Sequence, residues 1–259
     1  MIRLSANVST MFTEVPFLDR FEQAAINGFK GVEFWFPYQW EIDEISTELR
    51  KHRLEVVLHN SPPGDWEAGD RGIACIPGRE EEFHESVEQG IKYARALRCR
   101  NLHCPVGIVP REFPEGITHK TLVQNLRFAA EATEMEGIRL LIEALNSSRF
   151  PGFYLKHTRQ AVELINEVGS NNLRILYDAF HMQIMEGNLA ITIQDNLSYI
   201  GHIQIADNPG RHEPGTGEIN FTNLLRFISE VGYDGWIGCE YIPLGDTIEG
   251  LKWAAPYLK

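Results

Sequence analysis

Short apolar runs alternate with longer segments of helical period along the whole chain. Eight runs have the length and the β-branched or aromatic content of buried strands. They are Ile2–Val8, Gly31–Phe36, Leu54–Asn60, Asn101–Val106, Ile138–Glu143, Leu173–Asp178, Gly201–Ala206 and Trp236–Glu240. Helical patterns cover Val15–Asn27, Glu80–Leu97, Thr118–Glu136, His157–Val168, Thr192–Tyr199, Phe221–Val231 and Thr247–Tyr257. The alternation predicts parallel strands connected by helices.

The number of strands and the length of the chain favour one closed barrel over an open sheet. A (β/α)₈ TIM barrel typically takes ~250 residues, and this chain has 259. No linker-like stretch divides the sequence, and no G-x-G-x-x-G turn follows the first strand, which disfavours a dinucleotide-binding fold. We therefore expect an α/β fold with a single (β/α)₈ barrel domain over residues 1–259.

Composition narrows the classes of partner. The formal net charge is −12, which argues against nucleic acid, because proteins that bind it usually carry a basic face. The sequence has neither the apolar core of a signal peptide nor the ~18 apolar residues of a membrane span. Its four cysteines form no C-x-x-C pair. The expectation is a cytoplasmic protein with a small-molecule substrate, and homo-oligomer formation is left open.

Four oxygen-bearing side chains stand at or near the ends of successive predicted strands: Glu143, Asp178, Gln204 and Glu240. They are separated by about one strand-helix unit of ~30 residues, so parallel strands would bring them to one mouth of the barrel. Strand alternation places each on the face opposite to the apolar residues that suit packing against helices. Carboxylate and amide oxygens without cysteine suit Mg²⁺ or Mn²⁺ better than Zn²⁺.

These residues and the segments around them resemble the hydroxypyruvate isomerase family, within the xylose isomerase-like barrels. The similarity runs the full length of the chain, and the Arg211–Asn220 stretch is its most specific piece. The other segments that carry it are Met11–Phe17, Pro62–Asp65, Ile76–Glu80, Asp178–His181 and Gly238–Tyr241. Related ketose 3-epimerases usually carry His where this chain has Gln204, and an amide there is similar to the isomerase branch.

The resemblance implies a metal-dependent enzyme that interconverts hydroxypyruvate and 2-hydroxy-3-oxopropanoate (tartronate semialdehyde). It implies that Glu143, Asp178, Gln204 and Glu240 hold the divalent cation and that Glu143 and Glu240 also transfer protons. His181 and Arg211 would contact the oxygens of the hydroxy-acid or oxo-acid substrate. Because that substrate carries a carboxylate, Arg211 is the candidate anchor, and its candidate partners from other mouth loops are Arg71, Arg79 and Arg149.

Several alternatives stay open. A 2-oxo-tetronate isomerase or a ketose 3-epimerase of the same superfamily would use the same four ligands. A non-catalytic sugar-acid-binding barrel is disfavoured because both Glu143 and Glu240 are present. A metal-dependent phosphodiesterase or DNA-repair nuclease would need further His ligands and a basic groove. We expect His202 to be a core histidine, whereas Trp35 fits either a pocket wall or the packed rim.

Overall fold

Eight parallel strands close into a barrel within residues 2–258, the part of the chain that the computed structural model describes. They are β1 (Arg3–Asn7), β2 (Gly31–Phe34), β3 (Glu55–Asn60), β4 (Asn101–His103), β5 (Arg139–Glu143), β6 (Leu173–Asp178), β7 (Ile200–Ile205) and β8 (Trp236–Cys239). The strands pair in chain order, and β8 returns to β1 in parallel, Leu4 standing opposite Ile237. The predicted (β/α)₈ barrel is confirmed.

Helices follow the strands and cover the outside of the barrel. They are α1 (Asp19–Ile26), α2 (Ile42–His52), α3 (Glu80–Leu97), α4 (Glu115–Met135), α5 (Thr158–Val168), α6 (Ala179–Met185), α7 (Leu189–Asp195), α8 (Phe221–Glu230) and α9 (Thr247–Gly250), with a 3₁₀ turn at Leu251–Ala254. Of the helices within residues 2–258, none combines the length and the apolar character that crossing a membrane requires.

The helix α2 is absent from the segments predicted by periodicity. Its buried face is narrow, with Ile45 and Leu49 as its buried apolar residues. The stronger signal lies at its start, where the side chain of Glu44 accepts from the backbone N–H of Glu41 at 2.9 Å. The hydrogen bonds form a reciprocal capping box, but the N-cap residue is Glu rather than the Ser or Thr of the usual sequence signature, which is why the start of α2 is hard to predict from the sequence.

Two predicted helices were placed or extended wrongly. The helix predicted at Thr192–Tyr199 is α7, which begins and ends earlier, at Leu189 and Asp195. The additional helix α6 precedes it, because the carboxylate of Asp178 accepts from the N–H of Phe180 and starts a helix directly at the end of β6. The helix predicted over Thr247–Tyr257 stops at Gly250 and continues as a 3₁₀ turn. Glycine is a poor helix former, which favours this early end.

The barrel wall separates two apolar clusters. Leu141 and Leu176 pack with Val57, Leu58 and Trp236 in a small cluster. Their strand neighbours belong to the large cluster under the helices; Leu140, Ile142, Ile175 and Tyr177 are among them. Because side chains alternate along a strand, the small cluster fills the barrel interior, and the residues two positions beyond Leu141 and Leu176 face inward at the carboxyl end.

Candidate active site

The structure places the four predicted ligands at the carboxyl mouth of the barrel. Glu143 and Asp178 are the last residues of β5 and β6, Gln204 lies one residue before the end of β7, and Glu240 directly follows β8. In register, Asp178 stands beside Gln204, and Gln204 stands beside Gly238, two residues before Glu240. All four side chains are buried.

Three of these side chains present a buried oxygen that lacks a hydrogen-bond partner among residues 2–258. The atoms are Glu143 Oε1, Asp178 Oδ2 and Gln204 Oε1. Leaving a buried acceptor unpaired costs about 1–3 kcal/mol, so such oxygens are retained where a ligand satisfies them. Two carboxylates and an amide form the donor set that a hard divalent cation prefers. The residues present therefore fit Mg²⁺ or Mn²⁺.

The crowding of buried carboxylates in the cluster also favours a bound cation. Burial, together with repulsion from Glu240 and Asp178, holds the pKa of Glu143 well above its usual range. Burial likewise raises the pKa of Asp178 and raises that of Glu240 to about 7, with Arg211 acting in the opposite direction on both. Charged carboxylates this close together are stable only when positive charge or protons offset their repulsion.

Arg211 supplies part of that positive charge from the loop between β7 and α8. Its Nη2 lies 3.3 Å from Glu240 Oε1 and 3.6 Å from Asp178 Oδ2. Although burial opposes its charge, the surrounding carboxylates raise the pKa of Arg211. The loop is organised by Asp207, whose carboxylate accepts from the backbone N–H groups of Gly215, Gly217 and Ile219. The loop that positions Arg211 is thus built around a buried aspartate.

His181, in the first turn of α6, is positioned as a donor toward the cluster. Its Nδ1 accepts from the backbone N–H of Asn146 at 3.0 Å and from the Asn146 side chain at 2.8 Å. This assigns the proton of the neutral ring to Nε2, which lies 3.5 Å from Asp178 Oδ2. Burial and the nearby arginines Arg211 and Arg149 keep the pKa of His181 well below its usual value.

The ligand atoms of Glu143, Asp178 and His181 lie within 4.8 Å of one another, close enough to hold one ion. The hydrogen bonds from Asn146 favour a different role for His181. They leave the proton on Nε2, and a protonated ring nitrogen donates a hydrogen bond to an oxygen but has no lone pair with which to bind a cation. Glu240 lies outside this tight group. Its Oε1 accepts from Trp35 Nε1 at 2.5 Å and faces Arg211.

A cavity of about 120 Å³ opens above the cluster. Its lining combines aromatic walls with charged groups: Trp35, Phe36, Trp66, Phe150, Arg71, Glu143, His181, Arg211 and Glu240 are among the residues that form it. The guanidinium of Arg71 stacks 3.8 Å from the ring of Trp66. Arg79, expected as a partner of Arg211, instead donates to Asp70 and Glu82 and holds the loop after β3.

Sequence reasoning missed Glu33 and Asn146 and left the role of Trp35 open. Glu33 lies on β2 between Val32 and Phe34, fully buried inside the barrel. A lone acid alternating with apolar residues in a strand was the available signal. His202, expected in the core, is buried and its Nε2 lies 2.9 Å from Glu33 Oε2.

The fold belongs to a known class. A family model described as "Xylose isomerase-like TIM barrel" matches residues 21–257, so the chain belongs to that family. Within it, the chain is 54% identical to "Hydroxypyruvate isomerase" of Escherichia coli (strain K12), over 99% of this chain and 100% of the relative. It is 42% identical to "2-oxo-tetronate isomerase" of Cupriavidus necator, over 100% and 99% of the two chains.

A solved structure is similar over the full length as well. The crystal structure of "AP endonuclease, family 2" from Brucella melitensis superposes with a TM-score of 0.98 at 46% identity and covers 100% of both chains. The curated relatives confirm the prediction that this chain is an enzyme, an isomerase of the kind represented by the hydroxypyruvate and 2-oxo-tetronate isomerases. The roles predicted for individual site residues stay predictions.

Proposed function

We propose that this chain interconverts hydroxypyruvate and 2-hydroxy-3-oxopropanoate in a reaction that depends on a divalent metal ion. The observation that carries the proposal is the set of inward, unpaired oxygens on Glu143, Asp178 and Gln204 beside the guanidinium of Arg211. The relative named for hydroxypyruvate supports the choice of substrate, since its similarity extends over the whole chain.

The proposed reaction moves one proton between neighbouring carbons. A base removes a proton from the hydroxymethyl carbon beside the ketone, and the same or a second acid returns a proton to the former carbonyl carbon. Glu143 and Glu240 are the candidates, because each is buried at the mouth and lines the cavity. General acid-base catalysis of this kind contributes about 10²–10⁴-fold. A bound divalent cation would supply stabilisation of the negative charge that develops on the two adjacent oxygens.

The remaining polar groups bind and orient the substrate in this proposal. The Nε2–H of His181 donates to a substrate oxygen and moves a proton between oxygens, and its bonds from Asn146 fix the ring for that task. Arg211 and Arg71 both line the cavity. A guanidinium binds a carboxylate through two parallel hydrogen bonds, so these two arginines suit the carboxylate of an oxo-acid.

Two alternative substrates, a 2-oxo-tetronate and DNA, differ from hydroxypyruvate in the size and charge that the site would have to bind. A 2-oxo-tetronate shares the carboxylate and adds one carbon, and the relative of that name keeps this alternative in the test. The similarity to the Brucella structure, which is named as an endonuclease, makes nuclease activity a second alternative. The net charge of −12 opposes it, because DNA binding draws most of its affinity from contacts with phosphates.

A substrate panel tests the proposal. The purified protein is freed of metal with a chelator and assayed with and without Mn²⁺ against hydroxypyruvate, 2-oxo-tetronates, ketohexoses and DNA with abasic sites. We expect the highest kcat/KM on hydroxypyruvate and loss of turnover without metal. A higher kcat/KM on a neutral ketohexose would replace the proposal by an epimerase, and turnover unchanged by metal removal would overturn the metal dependence.

A further inference from the structure

Glu33 is a buried acid with a complete set of donors. Its Oε2 accepts from Ser5 Oγ at 3.0 Å and faces His202 Nε2 at 2.9 Å. Its Oε1 accepts from Asn7 Nδ2 at 3.3 Å and from Gln204 Nε2 at 2.7 Å. A buried carboxylate is costly unless it is paired and hydrogen-bonded, and here four side chains from β1 and β7 meet that requirement inside the barrel.

The bond to Gln204 decides which way its amide points. An amide group has one oxygen that accepts and one nitrogen that donates. Both oxygens of Glu33 act as acceptors, from Ser5 and Asn7, and Nε2 of Gln204 faces Glu33 and donates to its Oε1 at 2.7 Å. The Oε1 of Gln204 is then turned away, and it is one of the buried oxygens without a partner in residues 2–258. Glu33 lies outside the ligand set, yet it determines that Gln204 offers oxygen rather than nitrogen.

The backbone leaves room for this carboxylate at one place on β8. A Cβ atom on Gly238 would overlap both carboxylate oxygens of Glu33. Gly238 stands beside Gln204 in the register of the sheet and two residues before Glu240. The bare backbone of Gly238 therefore lets Glu33 reach across the barrel to Gln204.

We propose that Glu33 is a positioning residue that holds the amide oxygen of Gln204 toward the metal ion, an inference that rests on the metal site of the proposed function. The same contact explains the residue type at position 204. A carboxylate there would face Glu33 without a hydrogen to donate, so that two acceptors would meet inside the barrel. A neutral amide is compatible with Glu33, and an acid is not.

Exchanging the two groups tests this directly. Gln204→Glu adds a negative ligand, which by charge alone would tighten the binding of Mn²⁺. With Glu33 in place we expect the opposite, a loss of ~10-fold in Mn²⁺ affinity, within the 10–100-fold range for residues that orient metal ligands. In the double variant Glu33→Gln/Gln204→Glu, the new amide donates to the carboxylate at 204 and accepts from His202. We expect the double variant to recover most of the lost affinity.

Mn²⁺ affinity is measured by isothermal titration calorimetry on metal-free protein, with circular dichroism spectra and melting temperatures for every variant. The double variant keeps the volume and the summed charge of the pair, so it is expected to fold even if Gln204→Glu does not. Ser5→Ala serves as the control, since it removes a donor to Glu33 but leaves the bond to Gln204. We expect its Mn²⁺ affinity to match the unmodified chain.

Equal or tighter Mn²⁺ binding by Gln204→Glu would overturn the inference. A double variant that binds Mn²⁺ no more tightly than Gln204→Glu does would also overturn it, as would a double variant that binds Mn²⁺ as weakly as an unfolded chain does. A failure of the unmodified chain to bind Mn²⁺ is a separate result, because it would overturn the metal dependence of the proposed function itself.

Discussion

Two groups of buried acids in the same barrel have opposite surroundings. In the middle of the barrel, Glu33 is fully buried and contacts four side-chain donors. At the mouth, Glu143 and Asp178 are also buried, but each has an oxygen without a hydrogen-bond partner in the described chain. Burial alone therefore does not distinguish a carboxylate with a full set of hydrogen bonds from one that presents an unpaired oxygen.

The difference lies in what balances the negative charge. The protein itself supplies hydrogen-bond partners to both oxygens of Glu33, chiefly His202 and Gln204. At the mouth burial, with a contribution from neighbouring carboxylates, raises the pKa values of Glu143, Asp178 and Glu240, and Arg211 offsets this in part. An acid that the fold has already satisfied contributes to the structure, whereas unsatisfied acids in a cavity indicate a binding or catalytic site.

The largest effect is expected for Glu143→Gln. The amide keeps the shape of the side chain but cannot accept a proton from carbon, so kcat should fall by about 10³-fold. Because the change also removes repulsion with Glu240 and Asp178, the metal-free variant should melt no lower than the unmodified protein. Steady-state assays with Mn²⁺ and thermal melts measure the two quantities.

Glu55→Gln is the matched control for this prediction, since Glu55 is exposed at the opposite end of the barrel, at the start of β3. It should change neither quantity. A Glu143→Gln variant that retains more than about a tenth of kcat would remove Glu143 from proton transfer, because that loss is below the range for a general base.

Gly238→Ala tests the acid inside the barrel, Glu33. Its Cβ would displace the carboxylate of Glu33 from its donors, so the free energy of unfolding should fall by about 3 kcal/mol, as for overpacking that also leaves buried hydrogen-bonding groups unpaired. Urea denaturation of the metal-free protein measures it. Gly116→Ala in the first turn of α4 meets nothing within 4 Å, and its effect should stay below about 1 kcal/mol. Equal effects of the two changes would show that Glu33 is not tightly held.

Arg211→Lys sharpens the role of the cation at the mouth. Lysine keeps the charge but cannot form two parallel hydrogen bonds to a carboxylate. We expect kcat/KM on hydroxypyruvate to fall about tenfold more than on a neutral ketose, a difference of about 1.4 kcal/mol in transition-state binding.

Arg79→Lys is the control for this change, because Arg79 is committed to Asp70 and Glu82. It should affect the two substrates alike. Equal losses for Arg211→Lys on both substrates would mean that Arg211 contacts a group that they share, such as a hydroxyl.

The sequence by itself determined the barrel and placed its strand ends within three residues of the observed ones. Buried parallel strands appear in a sequence as apolar runs, so they can be recognised there. The alternation of side chains along these strands placed Glu143 and Asp178 on the inner face beyond Leu141 and Leu176, where the structure has them. The helices α2 and α6 were missed and α7 was misplaced, because short amphipathic stripes carry little periodic signal and the Asp178 cap that starts α6 was not weighed.

The tertiary structure alone decided which acids are satisfied. Glu33 is separated by more than 160 residues from His202 and Gln204, at sequence distances of 169 and 171. Only closure of the barrel brings β2 opposite β7, and no local pattern in β2 indicates which donors will meet it. Likewise, the bonds from Asn146 that set the proton of His181 depend on the packing of the β5 loop against α6. Hydrogen-bond partners across a barrel are fixed by topology and register, which a single strand does not contain.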